Sequence, residues 1–565
     1  MGERKYAIGL DFGTESGRAL LVDVANGYEV ASAVSVYSNG VIDERLPGTD
    51  IRLDADWALQ DPNDYLDVFK QAVPAVLAAS TIDPADVIGI GIGFTSCTML
   101  PTTADGTPLC FLPEWRTTPH AWVKLWKHHA AHAEATRMTE IAAQADPTLL
   151  PRYGGKISSE WLFPKAWQIL NEAPDLYAAA GRVLEAGDWV VWQLTGHEAR
   201  SAGLAGYKAL WSKQHGFPST SFFRALDPRL AQIVDEKMTR TLHPHGARAG
   251  GLSEQAARWS GLKPDTAVAV AVIDAHVSVP PATVVAPGRM VIILGTSNCH
   301  MLMTTEEHLV PGICGVVEDG IVPGFWGYEA GQPCVGDAFG WFVKQGVPAA
   351  LSGEAAARNI SIHQLLEERA TLLKPGESGL LALDWWNGSR SVLVDDELSS
   401  MLLGATLATR PEEVYRAYIE ATAFGTRLII DTFEAHGVPV GEIVVTGGLP
   451  DRNALLMQIY ADVTGRTLRI ARSQQGGALG AAMYGAVAAG AAAGGYTSIA
   501  DASQAMGDVR GDAYRPILEH QRVYDQLYAE YLTLHDYFGR GANSVMKRLK
   551  HLREASRSEN RSGII

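Results

Sequence analysis

Tyr6-Ala7-Ile8-Gly9-Leu10-Asp11-Phe12-Gly13-Thr14-Glu15-Ser16-Gly17-Arg18-Ala19-Leu20-Leu21-Val22 stands near the amino terminus. Two runs in it, Tyr6 to Asp11 and Arg18 to Val24, are rich in apolar and β-branched residues and predict strands. Gly13 to Gly17 between them predicts a hairpin turn. A carboxylate at a strand end, followed by small residues and hydroxyls, can aim backbone N–H groups at phosphate oxygens. Asp11 could then hold Mg²⁺ directly or through water. Taken alone, the segment reads more readily as an ordinary hairpin.

Working outward, strands are expected at Val87 to Phe94, Ala267 to Ile273, Met290 to Leu294, Glu442 to Val445 and Leu468 to Ala471. Helices are expected at Pro62 to Ala79, Glu160 to Asn171, Pro411 to Ala435 and Asn453 to Val463, where apolar residues recur every three or four positions. The alternation predicts α/β layers, and 565 residues call for at least two domains. A proline-rich passage from Val279 to Gly288 puts the join between a first domain, 1–283, and a second, 284–543. Leu294-Gly295-Thr296-Ser297 repeats the strand-then-turn device of Asp11 to Thr14 and hints at duplicated domains facing one another. Ile517 to Phe538 carries an apolar stripe through Val523, Leu527, Tyr531 and Leu534. The basic, polar stretch 544–565 is expected to fray as a flexible tail.

The chain carries 47 Lys plus Arg against 63 Asp plus Glu, a formal net charge of −16, which disfavours nucleic acid and anionic membranes as partners. The five cysteines, Cys97, Cys110, Cys299, Cys314 and Cys334, lack Cys-x-x-Cys spacing and read as reduced thiols. The chain passes from Lys5 directly into a strand pattern, so the cytoplasm is the expected compartment. Gly476 to Tyr496 is uncharged but made mostly of Ala and Gly, which suits a helix packed closely on protein rather than one solvated by lipid.

Gly295-Thr296-Ser297 offers a second phosphate cradle. Thr446-Gly447-Gly448 follows a buried strand and precedes the helix beginning near Asn453, where a flat ring could approach the backbone and the helix amino terminus would favour phosphate or ribose. Each is unremarkable alone. Together with Asp11 to Thr14 they resemble the two phosphate motifs and the adenosine motif of the actin-like ATPase superfamily. Within it, Gly154-Gly155-Lys156-Ile157 with Trp161 and Lys165, and Gln475-Gly476-Gly477-Ala478-Leu479-Gly480-Ala481-Ala482, are similar to the FGGY carbohydrate kinases. The likeness runs from Tyr6 to about Phe538.

Four stretches narrow it to members that phosphorylate L-ribulose in L-arabinose breakdown: Leu125-Trp126-Lys127 in a helix, Tyr207-Lys208-Ala209-Leu210-Trp211, Tyr328-Glu329-Ala330-Gly331-Gln332 and Leu383-Asp384-Trp385-Trp386-Asn387-Gly388. His128 and Ala130 stand where kinases of D-ribulose and ribitol carry Asp and Arg. The resemblance implies two actin-like (ribonuclease H-like) domains flanking a cleft, ATP and Mg²⁺ as cofactors, a small sugar as partner, and a homodimer. It implies Asp274 as the base that accepts the sugar's terminal proton, and Ser96, Trp126, Lys208 and Glu329 as sugar contacts beside Asp274. It implies Gly13, Thr14, Gly295, Thr296, Ser297, Gly447, Gly448 and Asn453 as nucleotide contacts and Asp11 as the metal ligand. Gly93 and Asn298 depart from the family pattern.

No Walker-type Gly-x-x-x-x-Gly-Lys, Gly-x-Ser-x-Gly or His-Glu-x-x-His occurs. His128 and His132 have a metal-compatible spacing on an expected helix, but a solvated helix face explains them better. Two rivals share the nucleotide motifs: a nucleotide-driven assembly or chaperone protein, and a silent sugar sensor. Among kinases the alternative substrates are D-ribulose, D-xylulose and ribitol.

Overall fold

The computed structural model describes residues 4–562. Strands β1 (Tyr6–Phe12) and β2 (Ser16–Asp23) form the expected hairpin, and β3 (Glu29–Val36) extends it. On the other side of β1, β4 (Val87–Phe94) runs parallel to it. The sheet continues through β5 (Arg248–Gly251) and β6 (Ala267–Ala269) in the order β5-β6-β4-β1-β2-β3, with β7 (Val272–Ile273) pairing the end of β4. The single strand expected from Ala267 to Ile273 is thus two, because Val270 turns its N–H to Ala247 O instead of to the ladder.

The second sheet repeats this plan. Its strands are β8 (Arg289–Leu294), β9 (Asn298–Thr304), β10 (Val316–Glu318), β11 (Trp326–Gln332), β12 (Glu442–Thr446), β13 (Leu468–Ala471) and β14 (Val509–Tyr514). They stand in the order β10-β11-β9-β8-β12-β13-β14, with the β8–β9 hairpin antiparallel and β12 parallel to β8.

The helices that matter to the site are α1 (Pro62–Ala79), α2 (His132–Ala145), α3 (Leu162–Glu172), α4 (Ala202–Lys208), α5 (Asp274–Val277), α6 (Pro411–Ala435), α7 (Ala454–Thr464), α8 (Gly476–Ala489), α9 (Leu518–Gly539) and α10 (Val545–Ser562). Local chemistry starts several of them. Asp61 caps α1 by accepting from Asn63 N–H, with Pro62 in the first turn, where a missing N–H costs nothing. Glu413 reaches back to Arg410 N–H at the start of α6.

The Ala- and Gly-rich α8 comes from the second half of the chain but lies on the first sheet. A Cβ at Gly9 would stand 1.7 Å from Ala478 O, and one at Gly91 would stand 1.7 Å from Ala481 O, so strand and helix backbones touch through small residues. Among the described residues no helix is long and apolar enough to cross a membrane.

Segments from before and after β4 build a subdomain with its own hydrophobic cluster and a four-stranded sheet of short strands, Leu59–Gln60, Met99–Thr102, Val123–Lys124 and Arg182–Glu185. Leu125, Trp126 and Lys127 lie here in the turn after Val123–Lys124, before α2 begins, and not in a helix as expected. His128 is likewise not on a solvated face: it is fully buried, with Gln168 Oε1 2.9 Å and Lys124 Nζ 3.3 Å from its Nε2.

In α9 Tyr531 is buried as expected, but the other buried positions stand one residue past those expected, at Tyr524, Tyr528 and His535. The tyrosine hydroxyls find buried or half-buried acceptors, Tyr531 on Asp384 at 2.8 Å and Tyr524 on Glu420 at 2.9 Å, which lets these large rings take the centre. The stretch after Ser544, expected to fray, is helical in α10. Lys547 pairs with Asp395 and His551 with Glu397, tying its first turns to the body.

Candidate active site

The first hairpin closes with Gly13 N–H donating to Ser16 O at 2.9 Å, and Asp11 sits one residue before the end of β1. The amino terminus of α8 comes down on its carboxylate, since a Cβ at Gly477 would stand 2.7 Å from Asp11 Oδ2. The second hairpin closes with Gly295 N–H on Ser297 O at 3.0 Å. Val335 N–H on Thr296 O (2.7 Å) and Gly336 N–H on Gly295 O (3.0 Å) brace it. Thr296 is exposed and Ser297 half-buried, so both hydroxyls are accessible.

Gly447 has φ 103°, and a Cβ there would lie 2.4 Å from Leu294 O. Gly447, one step past the last pair of the parallel β8–β12 ladder, thus lies hard against Leu294 at the start of the second turn, a fit that favours glycine. Thr446 Oγ1 in turn stands 3.3 Å from where a Cβ of Gly476 would be. The hairpins of the two halves are thus joined through Gly447, Thr446, Gly476 and Gly477. Gly448 has open space beside it. Asn453 is differently used: it is buried, accepts from Leu456 N–H at 2.8 Å as the cap of α7, and donates to Tyr415 Oη at 3.4 Å. Its side chain is engaged inside the second half.

Asp274 begins α5, and its Oδ1 accepts from Ala275 N–H at 2.8 Å. Burial pushes its carboxyl up to about 7, with the Asp11 charge adding to the rise, while burial pushes Asp11 up to about 6 against the pull of Arg18. Two carboxyls raised by burial, one also by the other's charge, are a place where a cation fits. Among the described residues no group of three or more His, Cys, Asp or Glu could hold an ion unaided. An ion at Asp11 would complete its shell with phosphate oxygens and water.

On the other side of Asp274, Lys208 at the end of α4 donates to Glu329 Oε1 of β11 at 3.0 Å, and His276 Nε2 meets Glu329 Oε2 at 3.1 Å. All three side chains are buried. Burial opposes ionisation of Glu329, but Lys208 and His276 together hold its carboxyl well below the usual range. Trp126, half-buried, donates its indole N–H to Thr14 Oγ1 at 3.0 Å, which ties the turn after Val123–Lys124 to the first hairpin. Ser96 lies half-buried in the turn after β4.

Two further residues belong here that the sequence reading passed over. His276 follows Asp274 by two residues, and its proximity in the chain was the available signal. Arg390, two residues beyond the quoted stretch ending in Gly388, forms an ion pair with Glu160 at 3.8 Å and raises the positive field around Glu329 and Cys299. Of the two departures, Asn298 is buried and donates to Tyr460 Oη (3.1 Å) and Gln332 Oε1 (3.3 Å), which puts it in the core of the second half. A Cβ at Gly93 would meet Val277 Cγ2 at 3.0 Å and Asp11 Oδ1 at 3.7 Å. A larger side chain there would crowd both.

Residues 6–279 match the model of the N-terminal domain of the FGGY family of carbohydrate kinases, and residues 290–489 that of its C-terminal domain. The chain is 58% identical over 559 residues to the ribulokinase of Geobacillus thermodenitrificans, covering 99% of each. It is 51% identical over 554 residues to that of Mycolicibacterium smegmatis, covering 98% of this chain and 97% of the relative. Among solved structures, the xylulose kinase of Lactobacillus acidophilus superposes with a TM-score of 0.77 at 17% identity, covering 94% of this chain and 98% of that one. At that identity the likeness speaks for the fold.

Proposed function

The chain belongs to the FGGY family of carbohydrate kinases and is an ATP-dependent sugar kinase, and from that premise we propose that it converts L-ribulose to L-ribulose 5-phosphate. The relatives named ribulokinase support ribulose. The choice of the L isomer rests on the four stretches around Trp126, Lys208, Glu329 and Trp386, and on His128 and Ala130. The observation that carries the reading is that Asp274, which follows β7 in the sheet that carries Asp11, is buried within reach of the charges of Asp11, Glu329 and Lys208.

In this reading the Lys208 ammonium donates to sugar oxygens and the Glu329 carboxylate accepts from sugar hydroxyls, with Trp126 covering an apolar face. The terminal hydroxyl then lies against Asp274. Asp274 takes its proton as the oxygen attacks the γ-phosphorus and the bond to the β-phosphate oxygen breaks, releasing ADP. Thr14, Thr296 and Ser297, with the hairpin N–H groups, hold the phosphates. Mg²⁺ is the divalent ion assigned to Asp11; when bound it neutralises phosphate charge. The halves are divided at 283/284, and the enzyme works in the cytoplasm, which its five free cysteines suit.

A coupled assay of ADP release across L-ribulose, D-ribulose, D-xylulose and ribitol tests this. The highest kcat/KM is expected with L-ribulose. A higher value with any other of the four overturns the isomer, and ADP release independent of sugar overturns the kinase reading in favour of a nucleotide-driven assembly protein.

A further inference from the structure

Beneath the sugar end of the site lies a cation that phosphoryl transfer does not use. Lys165, in α3, is fully buried, and its Nζ donates to Cys97 O and to Leu125 O, both at 2.7 Å. These carbonyls belong to two turns. One follows β4 and carries Ser96; the other follows Val123–Lys124 and carries Trp126. Each carbonyl is one residue from a proposed sugar contact. Pairing of Met99 with Lys124 brings the turns side by side, and Lys165 then ties them together from below.

Two features show that this tie is more than filler. Cys97 has φ 63°, a left-handed conformation rare for a residue with a side chain, which persists only where the surroundings impose it. The hold of Lys165 on the Cys97 carbonyl is such an imposition. Second, a buried ammonium is costly unless compensated. Burial pushes Lys165 down to about 8, opposed in part by Glu185 and Glu160. Glu185 is itself buried beside the Cys97 backbone N–H, and burial pushes it up to about 8, with Asp188 adding to the rise and Lys165 pulling it down. An apolar side chain of the same length would fill the space without either charge; what it could not do is join two carbonyls.

We propose that Lys165 is a positioning residue for sugar recognition: by clamping the Cys97 and Leu125 carbonyls it sets the spacing between Ser96 and Trp126. This rests on the reading of those two residues as sugar contacts.

The test uses Lys165→Met, which keeps the stem and removes the donors, and Lys165→Met/Glu185→Gln, which also removes the carboxylate left without a counter-charge. Sugar and ATP kinetics and thermal midpoints are measured for both. Lys165→Met should raise the sugar KM on the order of ten- to a hundredfold, the scale of a misplaced contact, with the KM for ATP unchanged. The double variant should regain thermal midpoint yet keep the raised sugar KM, and it serves alone if the single variant does not fold. A folded double variant with an ordinary sugar KM, or KM values for sugar and ATP that rise together, overturns the proposal. Ser96→Ala and Trp126→Ala run in parallel: if neither moves the sugar KM, the contact reading fails and this inference with it. If they move it and the Lys165 variants do not, the inference alone fails.

Discussion

The hairpin of β1 and β2 and the hairpin of β8 and β9 are the same device built twice, yet they carry different chemistry. In both, a glycine N–H closes the turn, on Ser16 O in one and Ser297 O in the other, and a parallel strand flanks the first arm. Two residues before the glycine the first hairpin has Asp11, beneath the amino terminus of α8, whereas the second has Ile293. The second instead presents the accessible Thr296 and Ser297 hydroxyls under Gly447. The two turns thus differ at the strand end, and that divides the chemistry proposed for them: a carboxylate for the metal at the first, hydroxyls for phosphate at the second.

The largest break in that division is Asp274→Ala. Loss of the base beside the anionic hairpin should lower turnover by roughly 10²–10⁴-fold, while calorimetric ADP affinity stays as it was. Turnover near that of the parent would remove Asp274 from the chemistry. Next comes Asp11→Asn, which removes the strand-end carboxylate that the second hairpin lacks. Turnover should fall about a hundredfold and the divalent-ion titration should move to higher concentration. An unmoved titration would mean that the asymmetry between the hairpins has nothing to do with metal.

The smallest effect sharpens the role of the glycines. Gly447→Ala places a Cβ against Leu294 O at a φ of 103° and should destabilise the fold by about 1–3 kcal/mol. Gly295→Ala meets only Ser297 O, at 3.6 Å, and should change stability by no more than about 0.5 kcal/mol while raising the KM for ATP. Equal thermal midpoints for the two variants would show that the contact of Gly447 with Leu294 is loose.

How much of this was legible depended on the range of the interactions. Helix α6 was readable at both ends because Pro411 and a long apolar period announce it locally, and β4 because an apolar run of that length suits a buried strand. The subdomain sheet was not, since strands of two to four residues leave no period to detect. Trp126 was expected on a helix from the family resemblance; a turn formed instead, with Leu125 N–H bonded to Ala58 O far upstream. His128, read as a solvated face of that helix, is buried, because Gln168 and Lys124 satisfy it.

From residue order alone came the first hairpin, the strand and turn that open the second, the close-packed α8 and the α/β class, because glycine spacing and apolar runs act over a few residues. The tertiary structure alone decided what surrounds Asp274 and what supports the sugar end. Lys208 reaches Glu329 across 121 positions, His276 reaches it across 53, and Lys165 gathers carbonyls 68 and 40 positions away. Such contacts exist only once both sheets and the subdomain have packed, and the low-dielectric interior they create is what gives buried charges their partners and their strength.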